Sequence, residues 1–104
     1  MVMDKYAEIR RKALPILKPY IDRLAVFGST VRGEATQKSD LDLLIRLKPS
    51  NERPKLGLFK LIEIEKVLEK KLGREVDLVT EDSLSPYIRP YVDEEKVVIY
   101  EEGW

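Results

Sequence analysis

The run "SDLDLLIRL", residues 39–47, limits the fold more than any other part of the chain. Two aspartates, Asp40 and Asp42, stand two apart among leucines. Successive side chains of a β-strand point to opposite faces. A strand over 41–47 therefore puts Leu41, Leu43, Ile45 and Leu47 on one face. Asp42 lies on the other face, with Asp40 beside it if the strand reaches back that far. The leucine face suits a core beneath helices. The opposite face is left as a carboxylate-bearing surface near the start of the strand.

The flanking segments supply the remaining elements. Tyr6, Ile9, Ala13, Ile16, Leu17 and Tyr20 recur at intervals of three and four, which predicts an amphipathic helix over 3–20. Asp4 stands where an N-cap would be, and Pro15 predicts a kink or restart. "RLAVFG", residues 23–28, is short, apolar and Gly-terminated, so it reads as a buried strand. A brief helical turn after Gly28 and a polar loop, "EATQKS", lead into the aspartate strand. After the loop "KPSNERPKLG" comes a helix over 58–72, with Leu58, Leu61, Ile62, Glu65, Leu68 and Leu72 in one stripe. Glu65 is the only polar member of that stripe, and Gly73 supplies the stop. "REVDLVT" is a third strand. "SPYIRPYV" carries a helical turn, and "KVVIYE" is a last strand at a sheet edge. The expected fold class is α/β, a mixed sheet packed by helices, in a single domain over 1–104.

Composition removes several chemistries. The 104 residues include no cysteine and no histidine. Disulfides, thiolate nucleophiles and thiolate metal sites are excluded. Acid–base or metal chemistry must rest on carboxylates, with Lys, Tyr and Ser in support. The 19 basic and 19 acidic side chains cancel, so there is no basic footprint for gripping a nucleic-acid backbone. No apolar run is long enough for a membrane span. The expected location is the cytoplasm.

Two like charges as close as Asp40 and Asp42 raise each other's pKa in isolation. A divalent cation removes the conflict. Mg²⁺ favours a few carboxylates plus waters and substrate phosphates over a closed protein cage. A two-metal phosphoryl-transfer site usually needs a further carboxylate, the ions standing roughly 3.5–4 Å apart. Asp77 is the candidate, because it alternates with Val76 and Leu78 and so faces away from the core. If the third strand lies beside the second, Asp77 reaches the same surface and is the best-placed general base. Asp22, Asp82 and Asp93 lie in or beside turns and read as ordinary residues there.

Upstream, Gly28 admits close backbone approach of a ligand. Ser29 can cap a short helix whose free N–H groups face an anion. Arg32 offers a guanidinium that forks onto phosphate, or else pairs with a neighbouring aspartate. Gly33 lets the chain turn away. This is not a P-loop, since no Gly-Lys-Ser/Thr triad is present.

The combined pattern is Gly28-Ser29, then Arg32-Gly33, Ser39, Asp40-x-Asp42 and a later Asp77. It resembles the nucleotidyltransferase superfamily that includes DNA polymerase beta. More narrowly, it looks like the minimal nucleotidyltransferases, the MntA-type antitoxin partners of HEPN toxins. The resemblance runs from the first helix to the tail. It implies the small nucleotidyltransferase fold, with Asp40, Asp42 and Asp77 holding Mg²⁺, two ions in all, and Gly28 and Ser29 holding the triphosphate. It further implies transfer of AMP from ATP to a tyrosine hydroxyl of a HEPN ribonuclease toxin encoded nearby. Two other readings stand beside it. One is a binding module that neutralises a toxin by contact, docking through Tyr87, Ile88, Tyr91 and Val92. The other is nucleotidyl transfer to a small molecule or nucleic acid.

Overall fold

The computed structural model describes residues 5–34 and 39–103. Helix α1 (Ala7–Leu17) leads into strand β1 (Ile21–Phe27), and a single helical turn, α2 (Ser29–Arg32), follows. Then come β2 (Leu41–Leu47), α3 (Leu58–Leu72), β3 (Val76–Thr80), α4 (Arg89–Glu95) and β4 (Val97–Glu101). The four strands form one mixed sheet in the order β3-β2-β1-β4. β2 and β3 run parallel, and the other two pairs are antiparallel.

The strand alternation works as the sequence predicts. Leu41, Leu43 and Ile45 are buried with Leu24, Val26, Ala13, Leu17, Ile64 and Leu68, so α1 and α3 cover one face. The opposite face is not bare. Ala25 and Leu44 are buried there beneath Val92 of α4, forming a second, smaller core. The aspartates therefore lie where this second core ends, not on an open surface.

Several boundaries differ from expectation. β1 begins at Ile21, two residues earlier than expected, so Asp22, just after a turn, lies in the strand and pairs with Arg46 at 2.5 Å. α1 runs unbroken through Pro15, which stands only two residues from its end at Leu17. The missing N–H therefore removes little of the ladder. Asp4 and residues 35–38 of the polar loop lie outside the described residues. "SPYIRPYV" opens a seven-residue helix, with Pro90 near its start, where no intrahelical N–H is needed.

α3 corrects the predicted stripe. Leu58 and Ile62 are exposed, while Ile64 is buried with Leu68. Glu65 has a definite task. Its Oε2 accepts the Leu78 amide at 3.0 Å, and Glu69 Oε2 accepts the Val76 amide at 3.1 Å. β3 is an outer strand, and these carboxylates take its outward N–H groups. On the other outer strand, β4, Arg10 Nε of α1 donates to the Ile99 carbonyl at 2.7 Å. β4 is thus the predicted edge strand.

Candidate active site

Strand register brings the candidate residues to one end of the sheet. Asp42 pairs across the antiparallel ladder with Phe27, and across the parallel ladder with Asp77. Asp42 and Asp77 therefore share a face, and Gly28 follows directly at the end of β1. Gly28 has φ +77°, a left-handed conformation that suits glycine. A Cβ there would collide with Asp42 Oδ2 and lie 3.1 Å from Cγ. The turn and the aspartate are in contact.

The Gly28 carbonyl accepts the amides of Val31 and Arg32, which closes α2. Gly33, at φ +76°, ends it as expected. Asp40 stands one residue before β2, so it lies outside the strand and is exposed. Just ahead of it, the Ser39 carbonyl accepts two bonds from Arg74, at 2.8 and 3.2 Å. That fixes where the chain turns into β2.

The electrostatics follow from this crowding. Burial pushes the Asp42 carboxyl above the usual aspartate range, and the charges of Asp77, Asp40 and Glu95 add to this, against Arg32. A hydrogen bond with Asp40 raises Glu75, as does the charge of Asp40. A bound cation relieves the repulsive part of these shifts. Among the described residues, no three carboxylates are gathered closely enough to hold an ion by themselves. The donor set fits a hard cation that keeps waters and takes substrate phosphates as ligands.

The nucleotidyltransferase domain family matches residues 4–99. The chain belongs to that family. It is 43% identical over 79 residues to protein adenylyltransferase MntA of Thermococcus cleftensis, covering 76% of this chain and 75% of that one. A solved minimal nucleotidyltransferase is 34% identical, with a TM-score of 0.67 over 91% of this chain and 95% of that chain. A chain in the structure of a tri-AMPylated Shewanella oneidensis HEPN toxin with its MNT antitoxin has a TM-score of 0.67 at 20% identity. It covers 95% of this chain and 73% of that one, a likeness of fold.

In this nucleotidyltransferase, two side chains of the site escaped the sequence reading. Glu95, the last residue of α4, accepts the Gly28 amide on Oε1 at 2.5 Å. It also takes Arg32 Nη1 on both oxygens, at 3.0 and 2.9 Å. Arg32 Nε donates to Glu34 at 2.9 Å. The partners of Arg32 are therefore glutamates, not a neighbouring aspartate. No spacing in the sequence links position 95 to position 28. Glu75 was missed despite a signal in the sequence. Glu75-x-Asp77 repeats the Asp40-x-Asp42 spacing, and parallel pairing of the two strands sets the repeats side by side.

The Glu95 carboxylate also tests the turn. It is an anion resting on the Gly28 amide and the Arg32 guanidinium, a donor set that also suits a phosphate. The nucleotidyltransferase thus presents donors for an anion on one side and carboxylates for a cation on the other, with Gly28 and Asp42 touching between them.

Proposed function

We propose that this nucleotidyltransferase is a Mg²⁺-dependent protein adenylyltransferase. It uses ATP in the cytoplasm and modifies a hydroxyl, a tyrosine's, on a cognate HEPN ribonuclease toxin, for which it is the antitoxin. The observation that carries this reading is the contact between the Gly28 turn and Asp42, with Asp77 in register beside it. Family membership supplies the reaction class, and the likeness to MntA supports a protein acceptor.

In this reading Gly28, Ser29 and Arg32 hold the triphosphate. Asp40, Asp42 and Asp77 would hold two Mg²⁺ ions, which would supply positive charge against the phosphates as pyrophosphate leaves. Asp77 is exposed and takes the proton of the acceptor hydroxyl. The hydroxyl oxygen forms a bond to the α-phosphorus as the bond to the β-phosphate bridge breaks, and pyrophosphate leaves. Tyr87, Ile88 and Tyr91 expose large apolar surface, Ile88 and Tyr91 beside Gly28 and Arg32, and suit contact with the acceptor protein, whereas Val92 of the expected docking set is buried in the second core.

The test is incubation of the protein with α-labelled ATP, Mg²⁺ and the HEPN protein encoded beside it. Label is expected on the toxin, lost with Asp42→Ala and with EDTA. An unlabelled toxin, or labelling that survives Asp42→Ala, overturns the reading. Protection from the toxin by Asp40→Ala and Asp42→Ala variants would support neutralisation by contact instead.

A further inference from the structure

Glu95 closes α4 with a carboxylate that is only 25% exposed. Its two oxygens take the Gly28 amide and the Arg32 Nη1 group. These are the donors that the proposed function gives to the triphosphate. A carboxylate and a phosphate oxygen compete for the same N–H groups, and both prefer a guanidinium partner. One position cannot serve both at once. The negative charge of Glu95 also adds to the charge already crowding Asp42.

The side chain has a way out to water, since Glu95 is partly exposed. It stands with Gly28 and Arg32 at the rim of an apolar cleft of about 340 Å³ along Phe27, Ile88, Tyr91 and Val92, which an ionised carboxylate would avoid in favour of solvent. Arg32 is 48% exposed, so its guanidinium can follow an incoming anion without breaking into the core.

We propose that Glu95 is a resident competitor for the phosphate site. It holds Gly28 and Arg32 while no nucleotide is bound, is displaced by the triphosphate, and retakes both donors as pyrophosphate departs. The inference rests on the reading of Gly28 and Arg32 as phosphate donors. It makes Glu95 a residue that sets affinity for the phosphates, not one that touches the reacting atoms.

The consequence differs from that of a merely structural pair. Loss of a structural partner would leave Arg32 poorly placed and weaken phosphate binding. Loss of a competitor strengthens it. Charge-assisted hydrogen bonds of this kind support a tightening of about tenfold.

The experiment is calorimetric titration of inorganic tripolyphosphate, in Mg²⁺, into wild type, Glu95→Gln, Glu95→Ala and Arg32→Ala, with circular dichroism melts as a folding check. Glu95→Ala is expected to bind about tenfold more tightly than wild type and Glu95→Gln to fall between. Arg32→Ala is expected to bind more weakly than wild type. If Glu95→Ala does not fold, the near-isosteric Glu95→Gln decides alone. If Arg32→Ala weakens binding but the Glu95 variants bind equally or more weakly than wild type, the phosphate reading stands and the competitor is overturned. If Arg32→Ala leaves binding unchanged, the phosphate reading falls and the competitor with it.

Discussion

A methyl group at position 28 has nowhere to go. The backbone there is left-handed, and the space a Cβ needs is filled by the Asp42 carboxylate. Gly28→Ala is expected to cost about 1–3 kcal/mol of stability, read as a lower melting temperature, and to abolish transfer. Asp42 carries the opposite kind of strain. Its carboxyl is raised by burial and by its acidic neighbours, so the native state holds a proton more readily than the unfolded chain. Stability from this group is present at low pH. It is lost as pH rises from the ordinary aspartate value through the raised native one. At neutral pH an ionised Asp42 therefore destabilises the ligand-free protein. Asp42→Asn is expected to melt at a higher temperature than wild type at pH 7, without Mg²⁺, while losing activity. A lower melting temperature would show that the carboxylate is stabilised by its surroundings instead.

Elements differed in how far their sequence revealed them. Strand β2 was legible because its alternate leucines fill the helix-covered face, although Leu44 is buried on the other, and its register puts Asp42 and Asp77 on one face. Helix α3 was legible as a helix, but its stripe was read one side too far. Leu58 and Ile62 fit the helical period as well as Ile64 does, and only the docked sheet decides between them. The correction is measurable. Ile64→Ala should cost about 2–4 kcal/mol, whereas Ile62→Ala should cost less than about 1 kcal/mol by denaturant titration. Equal losses would restore the predicted stripe. Glu65 seemed a flaw in that stripe because its partner is a backbone amide of β3, which no side-chain pattern records. α4 was harder still. Its Ser- and Pro-rich approach signals a turn, and the Val92 contact that stabilises it lies in the tertiary fold.

For the whole molecule, a net charge of zero conceals two unlike ends. The β2 start gathers Asp40, Asp42, Asp77 and Glu75, an excess of carboxylates that Arg32 only partly offsets at Asp42. The other end balances its charges locally. There Arg23 bridges Glu81 at 3.3 Å and Glu101 at 2.7 Å, and Arg46 meets Asp22. Glu81 is 6% exposed and also faces Arg89 at 3.7 Å. Removing this carboxylate leaves a half-buried guanidinium short of a partner. Glu81→Ala is expected to lower stability by about 2–3 kcal/mol in thermal melts while leaving tripolyphosphate affinity unchanged. A loss of affinity would show that the two ends are coupled. Composition gave the balance of charges, but which glutamate meets which arginine depends on contacts as far as 78 residues apart, as Arg23 and Glu101 illustrate.

The outermost strands bear on how such a chain behaves when crowded. An uncovered strand invites a passing chain to copy its backbone and so templates fibrils. Here outward groups on both flanks of the sheet are held by charged side chains from the protein's own helices: Glu65 and Glu69 on one flank, Arg10 on the other. Each such contact occupies a backbone group that an added strand would need, so self-templating is discouraged at those positions.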